Sequence, residues 1–275
     1  MSHDARPIGI FDSGIGGLTV TASIVQALRG ERLNYFGDNI HIPYGQRSLD
    51  QVRELSLAIV AALIGKGCKA IVVACNTASA AALVALRETF PGTPFVGMEP
   101  AVKPAVERSI TRTVGVIATP ATFQSAVYAS VIERFAQDVE VLHQPAPGLV
   151  ELIEAGEFRS ARTEEMLRGW IGPMLERKID ALVLGCTHYP LVRPLIEKIA
   201  GPGVRVIDPA PAIARQLDRS LTQQDLHCDP HQEGSLICYT SGTTDKFTAM
   251  LDALGMKAEA VRSAHWLPDG SLSLP

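Results

Sequence analysis

Short, almost uninterrupted apolar runs rich in Val and Ile alternate with longer stretches whose apolar residues recur every three or four positions. The short runs are 7–11 (PIGIF), 33–37 (LNYFG), 70–74 (AIVVA), 94–98 (PFVGM), 113–118 (TVGVIA), 139–143 (VEVLH), 181–185 (ALVLG), 204–208 (VRVID) and 235–240 (SLICYT). Their length and β-branched content predict strands, and their scarcity of polar alternation predicts strands covered on both faces. Over 51–64, Val52, Leu55, Ile59, Ala62 and Leu63 fall on one helical face. Over 163–177, Met166, Leu167, Trp170, Ile171, Met174 and Leu175 do the same, and Gly172-Pro173 predicts a kink there. Strand–helix alternation of this kind implies an α/β fold of parallel sheets with helices on both sides.

The pattern also repeats. The stretch 8–14 (IGIFDSG) resembles 114–120 (VGVIATP) at an offset of 106, and LNYFG answers to 140–144 (EVLHQ) at 107. The stretch 69–77 (KAIVVACNT) answers to 180–188 (DALVLGCTH) at 111, and 97–102 (GMEPAV) to 206–211 (VIDPAP) at 109. Four landmarks in one order imply two related halves. The expected architecture is two pseudo-symmetric parallel-sheet α/β domains with an active site in the cleft between them. The second domain is expected to span 99–207. The strand-like 235–240 and helix-like 244–254 follow it, which makes the first domain discontinuous, 1–98 plus 208–275.

Composition narrows the classes of function. The 275 residues are 47% apolar and 20% charged with a net charge of −4, so the chain has no general attraction for nucleic acid or anionic membrane. No stretch approaches the roughly 18 apolar residues of a membrane span. The first residues lack the charged-then-apolar pattern of an export signal, and a cytoplasmic location is expected. The five cysteines (Cys68, Cys75, Cys186, Cys228, Cys238) are scattered, with neither a CxxC nor a zinc spacing. Reduced thiols are therefore expected, and no metal site.

In open parallel sheets, ligands bind beyond the carboxyl ends of the strands. The first half places Asp12-Ser13, Tyr44-Gly45 and Cys75-Asn76-Thr77 there, and the second places Thr119, Gly148 and Cys186-Thr187-His188. A lone cysteine at a strand end is more often a packing residue. Two at equivalent repeat positions, each expected where a strand runs into a helix whose amides favour the thiolate, point to function. A disulfide is disfavoured in a reducing compartment, and two Cys with one His make a thin metal set. Matched thiols suit proton transfer at one carbon from opposite faces, base and acid exchanging roles with direction. Asp12 sits in a glycine-rich turn, where it would repel a phosphate and suit an ammonium or a thiol proton. Asp12 and Asn76 also read as helix N-caps, His188 as a structural histidine and Tyr44 as a packed aromatic.

Together 8–20 (IGIFDSGIGGLTV), 35–48 (YFGDNIHIPYGQRS), 72–83 (VVACNTASAAAL), 114–125 (VGVIATPATFQS) and 182–192 (LVLGCTHYPLV) closely resemble the glutamate racemases of the aspartate/glutamate racemase superfamily. The resemblance runs in order from about 8 to 247. It implies cofactor-independent interconversion of L- and D-glutamate, supplying D-glutamate for peptidoglycan, in a protein that commonly forms homodimers. By motif it implies Cys75 and Cys186 as the acid/base pair, assisted by Asp12 and His188. Ser13, Tyr44, Gly45, Asn76, Thr77 and Thr187 would hold the substrate together with Asp12 and His188, and Thr119 joins them by its strand-end position. Where the family often has a cysteine-proline strand end, this chain reads HQPAPGLVELIEAGEF over 143–158. Spacing favours Glu154 over Glu151 as the family's further acidic residue.

The tail 263–275 carries no readable motif, and Trp266 could pack on its own domain or on a subunit partner. The alternatives are an aspartate, other amino-acid or hydantoin racemase, and a non-enzymatic binder of dicarboxylates. A dinucleotide site on Gly14, Gly16 and Gly17 is disfavoured because their spacing is GxGG rather than GxGxxG. A pyridoxal-phosphate racemase is disfavoured because nothing marks a Schiff-base lysine or a phosphate cup.

Overall fold

A computed structural model describes residues 3–275 of the chain. From the N-terminus, β1 (Ile8–Asp12), α1 (Leu18–Ala27), β2 (Arg32–Gly37), α2 (Leu49–Gly65), β3 (Ala70–Val73), α3 (Asn76–Thr89) and β4 (Phe95–Gly97) follow in strict alternation. Next come α4 (Val102–Glu107), β5 (Thr113–Ala118), α5 (Pro120–Phe123), α6 (Ala126–Phe135), β6 (Glu140–Pro145), α7 (Leu149–Glu154), α8 (Ala161–Glu176) and β7 (Ala181–Gly185). The remainder is α9 (Arg193–Ala200), β8 (Arg205–Ile207), α10 (Ala210–Gln223), β9 (Ser235–Thr240), α11 (Thr244–Ala253), β10 (Ala260–Ser263), β11 (His265–Trp266) and β12 (Leu272–Ser273). All nine expected strands are present. The short β10, β11 and β12 lie in segments too polar to announce themselves, and α8 runs unbroken through Pro173.

Two compact units result: the chain up to Met98 with Ala210–Pro275, and Glu99–Pro209. The first holds a six-stranded sheet of order β10-β9-β2-β1-β3-β4, the second a four-stranded sheet of order β6-β5-β7-β8. Every pairing in both is parallel. The order β2-β1-β3-β4 recurs as β6-β5-β7-β8, so the repeat in the sequence is a repeat of topology. Register agrees at the centre: Ile8 lies opposite Ala70, and Val114 opposite Ala181. It drifts at the flanks. Ile8 faces Leu33 while Val114 faces Val141, one residue beyond the match read from sequence. Ile71 faces Phe95 while Leu182 faces Val206, two residues off the proline-based match. The prolines align loops, whereas the sheet aligns strands, and the intervening turns differ in length.

The sequence forms these elements for ordinary reasons. β1, β3 and β7 are buried at every position, as continuous apolar runs require when helices cover both faces. α2 opens on a capping box, with Ser48 accepting from the Gln51 amide while the Gln51 side chain accepts from that of Ser48. It buries Val52, Ile59, Val60 and Leu63 against the first sheet. In the second unit Val114, Val116, Val131 and Val183 form the corresponding core. Beneath the first sheet, fully buried Lys69 pairs with Glu31 at 2.7 Å, and Glu31 accepts the Cys228 amide at 3.0 Å. This ties the 224–234 connection back to the unit that it re-enters.

Candidate active site

In the first unit, β3 ends at Val73 and α3 starts at Asn76, with Cys75 itself as the N-cap. The Cys75 sulfur accepts from the Ala78 amide at 3.4 Å and lies 3.9 Å from the Ser13 hydroxyl. The helix start that the sequence predicts at this thiol is therefore real, and it is the thiol that caps it. Asn76 is not the cap. Its amide nitrogen and oxygen are both buried and make no hydrogen bond with the protein. Thr77 and Ser13 are buried as well.

Asp12, at the end of β1, is fully buried, and its carboxylate accepts the Gly17 amide at 2.7 Å. The start of α1 thus spends that amide on the chain's own carboxylate, which removes a donor that a phosphate would need. Gly17 is required sterically, because a Cβ there would stand 2.6 Å from the Asp12 Cβ. The N-cap of α1 is Gly17, which makes no side-chain cap bond, so Asp12 is not the cap that the sequence allowed; it accepts from the amide of the cap residue itself.

Tyr44 and half-buried Gly45 occupy a short 3₁₀ turn, Tyr44–Gln46. Tyr44 is buried in the same cluster as Cys75, and its phenol donates to Asp38 at 2.7 Å. Burial pushes that phenol well above its ordinary pKa, and the charges of Asp38, Cys75 and Asp12 push the same way. Asp38 was not legible as a site residue, although it follows β2 directly at the favoured sheet edge.

In the second unit, Cys186 follows β7 at the place equivalent to Cys75, but no α-helix starts there. A 3₁₀ turn, Tyr189–Val192, intervenes, and α9 begins only at Arg193. The expectation of matching helix starts is corrected by Pro190. An α-helix would need the amide of residue 190 to reach the Cys186 carbonyl, and proline has none. The Tyr189 amide takes that carbonyl instead, at 3.2 Å.

An imidazole serves this thiol. His188 Nδ1 lies 3.8 Å from the Cys186 sulfur, and Nε2 lies 2.7 Å from Glu154 Oε1. Burial alone would lower the His188 pKa, yet hydrogen bonds and charge from Cys186 and Glu154 override it and raise it well above 6.5. As imidazolium, His188 donates from Nδ1 to the sulfur and from Nε2 to the carboxylate. α7 carries Glu154 in its last turn, and the positive φ of Gly148 sets the start of that helix. Glu151, one turn earlier, instead adds to the upward push on the fully buried Tyr189 phenol, after burial and Cys186.

Thr187 is buried next to Cys186. Thr119 caps α5, its hydroxyl meeting that of Thr122 at 2.9 Å. Among the described residues no group of three or more His, Cys, Asp or Glu is arranged to hold a metal, and all five cysteines are free.

Two sheets of matching order, each with a buried cysteine beyond the equivalent central strand, define a duplicated α/β protein. The profile of the Asp/Glu/Hydantoin racemase family matches residues 8–217, and the chain belongs to that family. A glutamate racemase from Stutzerimonas stutzeri (strain A1501) is 46% identical over 254 residues, covering 92% of this chain and 96% of its own. The crystal structure of a glutamate racemase isoform from Bacillus anthracis superposes with a TM-score of 0.85 at 33% identity, covering 94% of this chain and 97% of its own. That of the Francisella tularensis glutamate racemase in complex with D-glutamate gives 0.82 at 33%, with the same coverages.

Proposed function

We propose that the protein interconverts L- and D-glutamate by proton transfer at the α carbon, without a cofactor. One thiolate removes the proton from one face while the other cysteine, as thiol, returns a proton to the opposite face. The roles reverse for the other enantiomer. The observation that carries this reading is the pair Cys75 and Cys186 at equivalent strand ends of two units of equal topology, each buried among polar groups. A packing cysteine needs neither an imidazolium nor a helix amide. The Asn76 amide, unpaired within the protein, suits a substrate carboxylate, with Ser13, Thr77, Gly45, Thr119 and Thr187 as further contacts. Asp12 suits the substrate ammonium and the Cys75 proton, and Glu154 acts through His188. Glutamate is favoured over aspartate by the relatives in hand, which are named glutamate racemases across nearly the full chain. Supply of D-glutamate to peptidoglycan, in the cytoplasm and as a homodimer, completes the proposal.

Circular dichroism of purified protein given L-glutamate or L-aspartate separately tests it. Loss of optical rotation is expected with glutamate and not with aspartate, and a stable L-glutamate signal would overturn the assignment. A crystal with bound glutamate should place the two sulfurs on the order of 7 Å apart, about 3–3.5 Å from the α carbon on each face.

A further inference from the structure

The C-terminal tail is the part of the chain that neither the family profile nor the motifs explain. Its strands β11 and β12 form an antiparallel hairpin, with Trp266 opposite Leu272. Leu272 is buried in the core cluster that contains Cys75 and Tyr44, and Trp266 packs against it. The end of the chain is pinned as well, since Lys66 Nζ donates to the Pro275 carbonyl at 2.7 Å.

Trp266 spends its one donor on Asp38, with Nε1 2.9 Å from Oδ1. Asp38 is fully buried and carries an unusual load. Ser241 Oγ donates to Oδ1 at 3.0 Å, the Tyr44 phenol donates to Oδ2 at 2.7 Å, and His41 Nδ1 lies 2.9 Å from Oδ2. The His41 ring also meets the Trp266 indole edge-on, with centroids 5.1 Å apart. The Asp38 backbone amide donates to the Asp12 carbonyl at 3.1 Å. Four side-chain donors converging on one buried carboxylate leave it little freedom to rotate, and each of its oxygens faces a different task. Oδ2 holds the phenol and Oδ1 is held by the indole.

We infer that Trp266 is a positioning residue, and that the C-terminal hairpin braces the Tyr44–Gly45 turn at the substrate site through Asp38. With its proton committed to Asp38, Tyr44 presents oxygen lone pairs, not a donor, to the site. This orients it toward the substrate ammonium. The inference rests on the glutamate reading, and it concerns binding of the substrate more than the proton transfer itself.

The test is the variant Trp266→Phe, which keeps an aromatic ring and removes the N–H, combined with Tyr44→Phe in a double-mutant cycle. KM for L-glutamate should rise roughly three- to tenfold in Trp266→Phe, with kcat changed less than about twofold. The double variant should be no worse than Tyr44→Phe alone, because both act through one carboxylate. A purely structural tail would lower Tm and expression without this split, and its effect would multiply with that of Tyr44→Phe. The sequence has two tryptophans, so in a Trp170→Phe background the remaining indole reports directly: added glutamate should change Trp266 emission. An unchanged KM in Trp266→Phe, or fully multiplicative effects, overturns the brace while wild-type turnover leaves the glutamate reading standing. A wild type that does not turn over glutamate overturns that reading, and the brace with it.

Discussion

Cys75 and Cys186 end equivalent central strands and are nearly equally buried, yet they are supported by different means. Cys75 caps a helix, taking the Ala78 amide at 3.4 Å with the Ser13 hydroxyl at 3.9 Å. Cys186 has lost the helix to Pro190 and has gained an imidazole, His188, which is itself held by Glu154 at 2.7 Å. One thiol rests on fixed partial charges of the backbone, the other on a titratable pair. Each device puts positive charge beside a sulfur. They differ in how they answer to pH. A helix amide does not titrate, whereas an imidazolium can lose its proton. The repeat has thus kept the position of the cysteine and let its surroundings diverge.

The largest expected effect comes from removing the thiols. Cys75→Ser and Cys186→Ser should each lower racemisation by at least roughly 10²–10⁴-fold, the range spanned by a positioned acid or base. Each variant keeps one working thiol, so each should still exchange the α proton of one enantiomer with deuterated solvent, and the two should favour opposite enantiomers. Proton NMR of L- and D-glutamate in deuterium oxide measures this. Exchange of the same enantiomer by both variants would break the pairing.

His188→Gln should come next, with a loss of about 10²-fold in kcat/KM and an acid limb displaced to higher pH. Cys75 keeps its amide, so the displacement should differ between directions only in kcat, appearing where Cys186 is the base, while the kcat/KM profiles of the two enantiomers stay equal. Glu154→Gln should cost about tenfold and Glu151→Gln less than about threefold, since only Glu154 bonds the imidazole. The same dyad carries a stability signature. His188 has a folded pKa raised above its unfolded value, so its contribution is fully present below about 6.5 and is lost as pH rises through the folded pKa. Thermal denaturation at several pH values should show wild type losing its margin over His188→Gln with rising pH. A constant margin would mean that His188 is not protonated as argued.

How far all this was legible follows from what each feature depends on. The strands and the repeat could be read because continuous apolar runs report burial directly, and Cys75 and Cys186 stood at equal distances along them. The His188–Glu154 bond could be expected only through family spacing, because residues 34 apart carry no local signal for one another. The missing helix after Cys186 was legible in principle. Pro190 denies the Cys186 carbonyl an α-helical partner, but the equivalence to Cys75 suggested a symmetry that one proline breaks. Asp38 and Trp266 were out of reach. They are 228 positions apart, and only the return of β9, β10 and the terminal hairpin to the first unit joins them.

The smallest effect is also the one that decides whether the two supports are equivalent. If Ser13 served Cys75 as His188 serves Cys186, Ser13→Ala would cost about as much as His188→Gln. The contact is a long one, however, in which the Cys75 thiol donates to the Ser13 hydroxyl at 3.9 Å, and the Ala78 amide would remain in place. The expected loss is therefore only two- to fivefold, in keeping with one marginal hydrogen bond. Enantiomers have equal energy, so kcat/KM must fall equally in both directions, and the informative quantities are the separate kcat values and the pH profile. Ser13→Ala should leave the acid limb where it is in wild type, because it removes no titrating group. A loss as large as that of His188→Gln, or a displaced limb, would show that Cys75 depends on its hydroxyl and not on the helix it caps. The distinction drawn between the two thiols would then be one of geometry alone.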